Sequence, residues 1–231
     1  MIHFLRLINE ILSLPEVKIR MSGDEIGKRS YDYFTKPHPK YKLIQNKRWG
    51  VGLLWLPVHF DEYLEGKQKE LLRRKRRRAM SLGYKFASID PIVHVDQILA
   101  INTSMQVRQG SSLPAGYLSM ESIKEAFKNA RIFYGVTDAH GVLKAYAHTP
   151  IYGEMFIFST LLGHGDDLDK GIMYLLVSEV IREMIERKRS GHLPLWAVYD
   201  TFFGARDGLR YFKDRLGFKP YKVNWVWEAT S

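Results

Sequence analysis

The sequence predicts an α/β (α+β) protein in which a mixed, mostly antiparallel, twisted sheet is flanked by helices. Three observations lead to this prediction. Short apolar segments with turn-forming links follow one another between residues 132 and 162, and a long amphipathic segment comes after the polar loop at residues 163–170. A strand–helix–strand pattern then closes the chain. At 231 residues the chain is long enough for one core with an N-terminal elaboration.

Residues 1–60 are predicted to be that elaboration, made of an amphipathic helix, a loop and a strand. Four apolar residues near the start recur at helical spacing: Ile2, Leu5, Ile8 and Leu12. Residues 21–47 are polar and contain several glycines and prolines, which favours a loop. Trp49–Pro57 is apolar and bounded by turn signals, so it predicts a buried strand.

Residues 61–231 are predicted to form the main domain, which opens with helices. Phe60–Leu82 is predicted to be one helix that stops at Gly83. Its expected buried stripe consists of four residues: Leu64, Leu71, Ala79 and Leu82. Next come a short strand at Tyr84–Ile89 and two further helices, at Pro91–Ser104 and Met120–Asn129.

The second half of the main domain alternates strands and helices. Three strands are predicted to form an antiparallel meander: Ile132–Thr137, Val142–His148 and Met155–Leu162. A helix follows Lys170, and its buried face is predicted to be Met173, Leu176, Val177, Val180, Ile181, Met184 and Ile185. The last elements are a strand at Leu195–Tyr199, a helix at Ala205–Leu216 and a strand at Tyr221–Trp227, whose residues alternate between apolar and polar.

Composition excludes several classes of site. The chain contains no cysteine, which rules out disulfides, thiolate metal sites and cysteine nucleophiles. No histidine and carboxylate spacing indicates a metal site, so no metal is expected. No stretch reaches the roughly 18 uninterrupted apolar residues of a membrane span. We therefore expect a cytoplasmic protein with no membrane span.

The positive charge is concentrated in one segment. The net charge is +10, and Lys67–Arg78 alone carries +7 because eight cations are opposed only by Glu70. Such a segment predicts an anionic partner: a nucleic acid such as tRNA, a phosphorylated cofactor or an acidic acyl carrier protein. The residues expected to bind it are Arg73, Arg74, Arg77 and Arg78. The alternative is that the helix only presents a solvated face.

The order of elements from residue 84 to residue 231 is similar to that of the GNAT superfamily of N-acetyltransferases. Asp169-Lys170-Gly171-Ile172 stands where that family's pyrophosphate loop reads Gly-Lys-Gly-Ile. Arg215-Leu-Gly-Phe218 resembles the Lys-Leu-Gly-Phe that closes the family's last helix. The resemblance implies a GNAT-like fold and an acyl group moved from acetyl-CoA or another acyl-CoA to an amine acceptor by direct attack.

The resemblance also implies a donor site. Its members would be the backbone groups that polarise the donor carbonyl and the loop that holds the pyrophosphate: Leu161, Leu162, Gly163, Lys170, Gly171 and Ile172. The physical reason is that a helix N-terminus offers free N–H groups and a positive dipole end to a phosphate. The alternative is that this tetrapeptide only begins a helix. Leu168 and Met173 depart from the family pattern, and three aspartates add negative charge to the loop: Asp166, Asp167 and Asp169.

Catalysis of amine acylation needs a base, because an ammonium group cannot attack a carbonyl. Glu154 lies where family members often place one, and Asp200 at a strand end is a second candidate; Glu154 is alternatively an exposed turn residue. His148 and His164 are further candidates for the base. The family's tyrosine acid stands three residues before the leucine of Leu-Gly-Phe, and Lys213 occupies that position here.

One branch of the superfamily shares more of these features. The basic helix, Arg108-Gln-Gly110 and Tyr211-Phe-Lys213 resemble Fem-type transferases, in which lysine replaces the tyrosine. Several members of that branch use aminoacyl-tRNA as the donor. Aminoacyl-tRNA-dependent transfer is therefore an alternative to acyl-CoA, and a non-catalytic protein that binds nucleic acid or a carrier protein is the rival from another class.

Overall fold

The computed structural model describes Ile11 and residues 13–40, 42–108, 112–192, 194–203 and 205–229. The predicted N-terminal amphipathic helix lies outside these described residues. The chain divides into two compact units that interleave in sequence: residues 1–56, 151–157 and 187–231 form the first, and residues 57–150 and 158–186 the second. The predicted division at residue 61 stays a prediction.

Ten strands and seven α-helices lie within the described residues. The strands are β1 (Glu16–Met21), β2 (Val51–Trp55), β3 (Lys85–Ser88), β4 (Phe133–Thr137), β5 (Leu143–His148), β6 (Ile151–Tyr152), β7 (Met155–Ile157), β8 (Thr160–Gly163), β9 (Trp196–Thr201) and β10 (Lys219–Trp227). The helices are α1 (Glu25–Thr35), α2 (Phe60–Leu64), α3 (Glu70–Ser81), α4 (Val95–Thr103), α5 (Met120–Phe127), α6 (Ile172–Arg189) and α7 (Asp207–Leu216). No described helix has the length and apolar character needed to cross a membrane.

The first unit contains a mixed six-stranded sheet in the order β1-β10-β2-β9-β7-β6. β1 pairs with β10, and β7 with β9, in parallel, and the remaining pairs are antiparallel. Apolar residues of α1 and the strands form its core: Ile19, Met21, Phe34, Val51, Leu53, Tyr152, Met155, Val198, Val223 and Trp225.

The helix α1 occupies Glu25–Thr35 of the segment predicted to be a loop at residues 21–47, so that prediction is wrong for this part of the segment. The Asp24 carboxylate begins the helix by accepting hydrogen bonds from the N–H groups of Ile26 and Gly27, at 3.1 and 3.0 Å. A β-carbon on Gly27 would stand 3.0 Å from the Tyr152 ring. The glycine that favoured a loop is therefore required by packing against a residue far away in sequence.

The second unit contains an antiparallel four-stranded sheet in the order β3-β4-β5-β8. The helices α4 and α5 bury apolar side chains together with β4 and β5: Val95, Ile98, Ile101, Ile123, Phe127, Phe133, Leu143 and Tyr146. The strand β8 is an edge strand and pairs only with β5 among the described strands. This edge belongs to the segment that the sequence predicts as a donor site.

Two predictions are wrong because a single predicted element is divided into shorter elements in the structure. The helix expected over residues 60–82 is divided into α2, a 3₁₀ turn and α3, because Gly66 adopts φ 87°. In α3 the fully buried residues are Leu72 and Ala79, whereas the predicted Leu82 is half exposed. The third strand of the meander is likewise two strands, β7 and β8, in different sheets.

The long apolar patterns are confirmed. In α6 every predicted buried residue except Met173 is fully buried, and Gly83 ends α3 with φ 85°. The strand β10 buries Val223 and Trp225 and exposes Asn224. The predicted α/β class with mixed and antiparallel sheets flanked by helices is therefore confirmed.

Candidate functional site

Lys213 is a buried cation in the first unit. It lies on α7 with only 1% of its surface exposed, and its Nζ donates a hydrogen bond to the Thr201 carbonyl at 2.8 Å. The Nζ also lies 4.7 Å from the centre of the Tyr199 ring and 5.6 Å from that of Phe202. Burial lowers the pKa of Lys213 to about 8, with Asp200 opposing and Lys47 adding to the effect.

Asp200 and Lys47 form an ion pair beside this lysine. Their Oδ1 and Nζ atoms are 2.5 Å apart, and the Asp200 side chain is 60% exposed. Asp200 has φ 42°, a left-handed conformation that is uncommon outside glycine. Although the side chain is mostly exposed, partial desolvation by the surrounding protein works against ionisation of this carboxyl; Lys47 outweighs that effect and holds the pKa of Asp200 below its usual range. Asp200 is therefore a carboxylate at neutral pH.

Glu154 is a second carboxylate of the first unit, and both of its oxygens already accept a hydrogen bond from Arg20. It accepts hydrogen bonds from the Arg20 backbone N–H at 3.0 Å and from Arg20 Nη1 at 3.1 Å. Its own N–H donates to the Arg20 carbonyl at 2.9 Å. Among the three predicted catalytic residues, the structure therefore brings Asp200 and Lys213 together, while Glu154 pairs with Arg20.

The predicted carbonyl-binding residues Leu161, Leu162 and Gly163 lie on the edge strand β8 of the second unit. His164 donates its N–H to the Lys144 carbonyl of β5 at 2.7 Å. Backbone groups alternate along an antiparallel strand, so the N–H groups of Leu161 and Gly163 face the open edge. Arg108 already occupies one position there, because its Nη1 donates to the Gly163 carbonyl at 2.9 Å.

The side chains of Met173 and Leu168 pack closely against Gly163. A β-carbon on Gly163 would stand 2.5 Å from Met173 Sδ and 3.0 Å from a methyl group of Leu168. These are the two residues at which the sequence departs from the GNAT pattern. Their side chains therefore fill space against the strand that the sequence predicts as the donor's edge.

The predicted pyrophosphate loop is held together by its own contacts. Lys170 Nζ donates to Asp167 Oδ1 at 2.7 Å, and the Tyr84 hydroxyl donates to the same oxygen at 2.6 Å. Asp167 is buried, which opposes ionisation, but Lys170 and Tyr84 outweigh burial and lower the pKa of Asp167. The cation expected to bind a phosphate is therefore paired with a buried carboxylate.

Gly171 permits close packing of helix α3. It adopts φ 94° directly before Ile172, the first residue of α6. A β-carbon on Gly171 would collide with the backbone carbonyl of Lys75, and Lys75 Nζ donates to the Asp169 carbonyl at 3.0 Å. The glycine of the predicted phosphate motif thus serves a packing role in this structure.

The cations of α3 fall into two groups. Arg76 is bonded to the buried Glu179, and Arg73 donates to the carbonyls of Leu64 and Gly66, so both serve the fold. Three arginines form the exposed arginine face of α3: Arg74, Arg77 and Arg78. Arg74 and Arg77 have no hydrogen bond or ion pair with any described residue, and Arg78 is only 3.7 Å from the exposed Asp169.

Sequence reasoning missed Lys47, Arg20 and the central role of Asp167. Lys47 falls in a segment predicted to be a loop, and no motif links it to Asp200. Asp167 was noted only as a charge opposed to phosphate, although an aspartate three residues before a lysine is itself a signal for a local ion pair. Among the described residues no group of three or more acidic or histidine side chains is arranged to bind a metal.

Two solved structures with TM-scores above 0.5 are similar to this chain in fold. A conserved protein of unknown function from Bacteroides thetaiotaomicron is 14% identical with a TM-score of 0.54, over 72% of this chain and 55% of that one. FemX is 12% identical with a TM-score of 0.54, over 74% and 59%. L-PGS from Bacillus licheniformis is 18% identical with a TM-score of 0.49, over 74% and 60%.

The chain thus spans between 55 and 60% of the length of these proteins. No protein-family model and no curated protein matches the sequence. At identities this low the likeness concerns the fold, and it agrees with the resemblance that the sequence motifs indicate. The chain adopts a GNAT-like fold of the kind found in FemX.

Proposed function

We propose that the chain is an N-acyltransferase that moves an acyl or aminoacyl group from an activated donor to an amine acceptor, with Lys213 as the acid. The observation that carries this proposal is the burial of the Lys213 ammonium on a GNAT-like fold, at the position of the family's tyrosine acid. Burial lowers the pKa of Lys213 to about 8. An acid with a pKa close to the working pH is protonated in the resting protein and still gives up its proton readily.

The reaction balances with the groups present. The neutral amine attacks the donor carbonyl, so a C–N bond forms while the C–S or C–O bond to the leaving group breaks. Lys213 gives its proton to the departing sulfur or oxygen, and the attacking amine loses a proton to Asp200 or to water. Both carboxylates are ion-paired, Asp200 with Lys47 and Glu154 with Arg20, but Asp200 suits this role better because its side chain is 60% exposed and that of Glu154 only 18%.

Binding of a donor carbonyl by the N–H groups of Leu161 and Gly163 stays a prediction; within the second unit these groups face the open edge of β8. The residues proposed to hold the pyrophosphate of CoA do not fit that group well. Lys170 is paired with Asp167, Gly171 is covered by the α3 backbone, and Asp166 and Asp169 add exposed negative charge. Acyl-CoA as the donor therefore stays a prediction.

The exposed arginine face of α3 favours a polyanionic donor instead. Arg74 and Arg77 have no described partner, and a guanidinium group binds phosphate with two parallel hydrogen bonds. An aminoacyl-tRNA offers many phosphates, and an acyl carrier protein offers carboxylates. Of these two donors we favour aminoacyl-tRNA. Its phosphates are regularly spaced along the strand, and the arginines of the exposed face are likewise regularly spaced along one side of a helix.

A donor panel tests this proposal. The full chain is incubated with mixed amines and, in separate reactions, with acetyl-CoA, longer acyl-CoAs, an acyl carrier protein and radiolabelled aminoacyl-tRNAs. Thiol release from CoA is read with a thiol reagent, to which a chain without cysteine gives no background. Amine-dependent loss of label from tRNA supports the preferred donor. If no donor is consumed above the rate without protein, the transferase proposal is wrong and the non-catalytic binding role takes its place.

A further inference from the structure

Lys47 is built into the first unit more firmly than its place in a polar segment indicates. Its backbone N–H donates to the Phe34 carbonyl at 2.9 Å, and its own carbonyl accepts a hydrogen bond from Trp225 Nε1 at 2.5 Å. Its side chain is only 20% exposed and ends at Asp200. Both ends of this residue are therefore fixed, which is unusual for an ion pair near the surface.

Asp200 connects this lysine to Lys213 through one peptide unit. The left-handed backbone of Asp200 turns the chain at the end of β9, and the next residue, Thr201, offers the carbonyl that accepts the hydrogen bond from Lys213. A non-glycine residue in this conformation is strained and persists only where its surroundings hold it. The ion pair with Lys47 is such a restraint.

The segment before β2 also packs against the same turn. The Phe202 N–H donates to the Gly50 carbonyl at 2.7 Å, and the Phe203 ring lies where a β-carbon on Gly50 would stand. Gly50 itself has φ 68°. The turn that holds Lys213 is thus attached at two points to the segment that carries Lys47.

We propose that Lys47 is a positioning residue for Lys213: through its ion pair with Asp200 it holds the left-handed turn that presents the Thr201 carbonyl to the Lys213 ammonium. A role of Lys47 in catalysis rests on the proposed function, but the positioning of Lys213 can be measured without any substrate.

Two charged groups act on Lys213 among the described residues, one from each segment packed against it. Asp200 of β9 attracts the ammonium, and Lys47 of the segment before β2 repels it. The other groups that face it are the rings of Tyr199 and Phe202. Neutralising Lys47 should therefore raise the pKa of Lys213, and neutralising Asp200 should lower it.

The experiment is an NMR titration of the full chain labelled at the Cε atoms of lysine, with the Lys213 signal assigned by its loss in Lys213→Met. We expect Lys47→Met to raise the titration midpoint of Lys213, because a repelling charge is lost and Asp200 is released. Asp200→Asn is expected to lower it, since asparagine tolerates the left-handed backbone but carries no charge. Lys47→Arg is expected to restore the wild-type midpoint, and Lys47→Gln replaces Lys47→Met if that variant does not fold.

Opposite shifts of the midpoint follow from charge alone, so the turn itself is followed through the amide signals of Thr201 and Phe202 in the full chain labelled with ¹⁵N. We expect Lys47→Met to displace these signals and Lys47→Arg to return them towards the wild-type positions. Unchanged amide signals in Lys47→Met, or unchanged midpoints in both Lys47→Met and Asp200→Asn, would overturn the positioning role. With an active donor in hand, Lys47→Met should lower kcat several-fold with little change in KM, and Lys47→Arg should recover it. Displaced amide signals without any transferase activity would support the positioning of Lys213 and reject the proposed function, so the two failures are distinguishable.

Discussion

Arg76 Nε of helix α3 donates a hydrogen bond to Glu179 Oε1 of helix α6 at 2.8 Å, and both side chains are largely withdrawn from water. Arg182 forms an ion pair with the same carboxylate. This buried pair shows that a dense run of cations is not one functional surface. It divides into cations that hold the fold and cations that remain exposed.

The first prediction concerns the stability of this pair. Arg76→Met should lower the free energy of unfolding by about 3 kcal/mol or more, because it removes the more buried of the two arginines that pair with the buried Glu179 carboxylate and leaves only the half-exposed Arg182. The exposed Arg77→Met is the matched control and should change it by less than about 0.5 kcal/mol. Urea unfolding followed by circular dichroism measures both. Equal effects in the two variants would contradict the division of the helix.

The second prediction concerns the exposed arginine face. Replacing Arg74, Arg77 and Arg78 together by glutamine should weaken tRNA binding and flatten its salt dependence. Each lost phosphate contact reduces the log–log slope by roughly 0.7 to 0.9.

The control for this triple variant removes three exposed cations at another place in the second unit: Lys124, Lys128 and Arg131. It should leave the slope of tRNA binding unchanged. Filter binding across a salt series measures both triple variants. Equal slopes in the two would mean that the arginine face of α3 is only solvated.

The third prediction separates packing from phosphate binding at Gly171. Gly171→Ala should destabilise the fold by about 1 to 3 kcal/mol more than Gly141→Ala, because its β-carbon would strike the Lys75 carbonyl. Gly141 is the matched control, since it has a similar positive φ of 80° but nothing within 4 Å of an added β-carbon. Thermal unfolding of both variants measures the difference. Equal losses would show that α3 yields at this contact.

The fourth prediction concerns the pH dependence of stability at Lys213. Its folded pKa of about 8 lies below the ordinary 10.5, so between these values the unfolded chain binds a proton that the folded chain does not. The free energy of unfolding therefore rises with pH between about 8 and 10.5. Below pH 8 the buried ammonium of Lys213 lowers it by about 3 kcal/mol. Lys213→Met should be more stable than the wild type at pH 7.

That advantage should shrink as the pH approaches 10.5, because the wild-type lysine is then neutral when folded. The exposed Lys219→Met serves as a control and should show no such pH dependence. Urea unfolding at pH 7, 8.5 and 10 measures the three proteins. A variant that is less stable than the wild type by the same amount at every pH would mean that Lys213 is not destabilised by burial.

The sequence predicts those elements whose signal lies within one segment. The buried face of α6 repeats from Leu176 to Ile185, and the alternation of β10 repeats over a whole strand, so both could be read directly. The helix α1 could not be predicted in this way, because Gly27 packs against the ring of Tyr152, more than a hundred residues later in the sequence. The division between β7 and β8 depends in the same way on which strands they pair with.

The candidate site follows the same rule. Lys213 could be placed because the Leu-Gly-Phe motif ends the same helix, but its burial depends on Tyr199 and Phe202 of another element. Lys47 could not be found, since its partner Asp200 is 153 residues away. The sequence predicts Gly171 as a phosphate contact, because it does not show that the α3 backbone packs against this residue.

The most direct test of the central claim is the pH dependence of kcat/KM for the donor that the panel identifies, measured for the wild type, Lys213→Met and the exposed neighbour control Tyr211→Phe. Acid catalysis by Lys213 requires its protonated form, so the wild-type rate should fall as the pH rises through about 8. Tyr211→Phe should keep this alkaline limb, whereas Lys213→Met should be slower at neutral pH by about 10²-fold and lack the limb. A limb that persists in Lys213→Met, or a variant as fast as the wild type, would contradict the assignment of Lys213 as the acid.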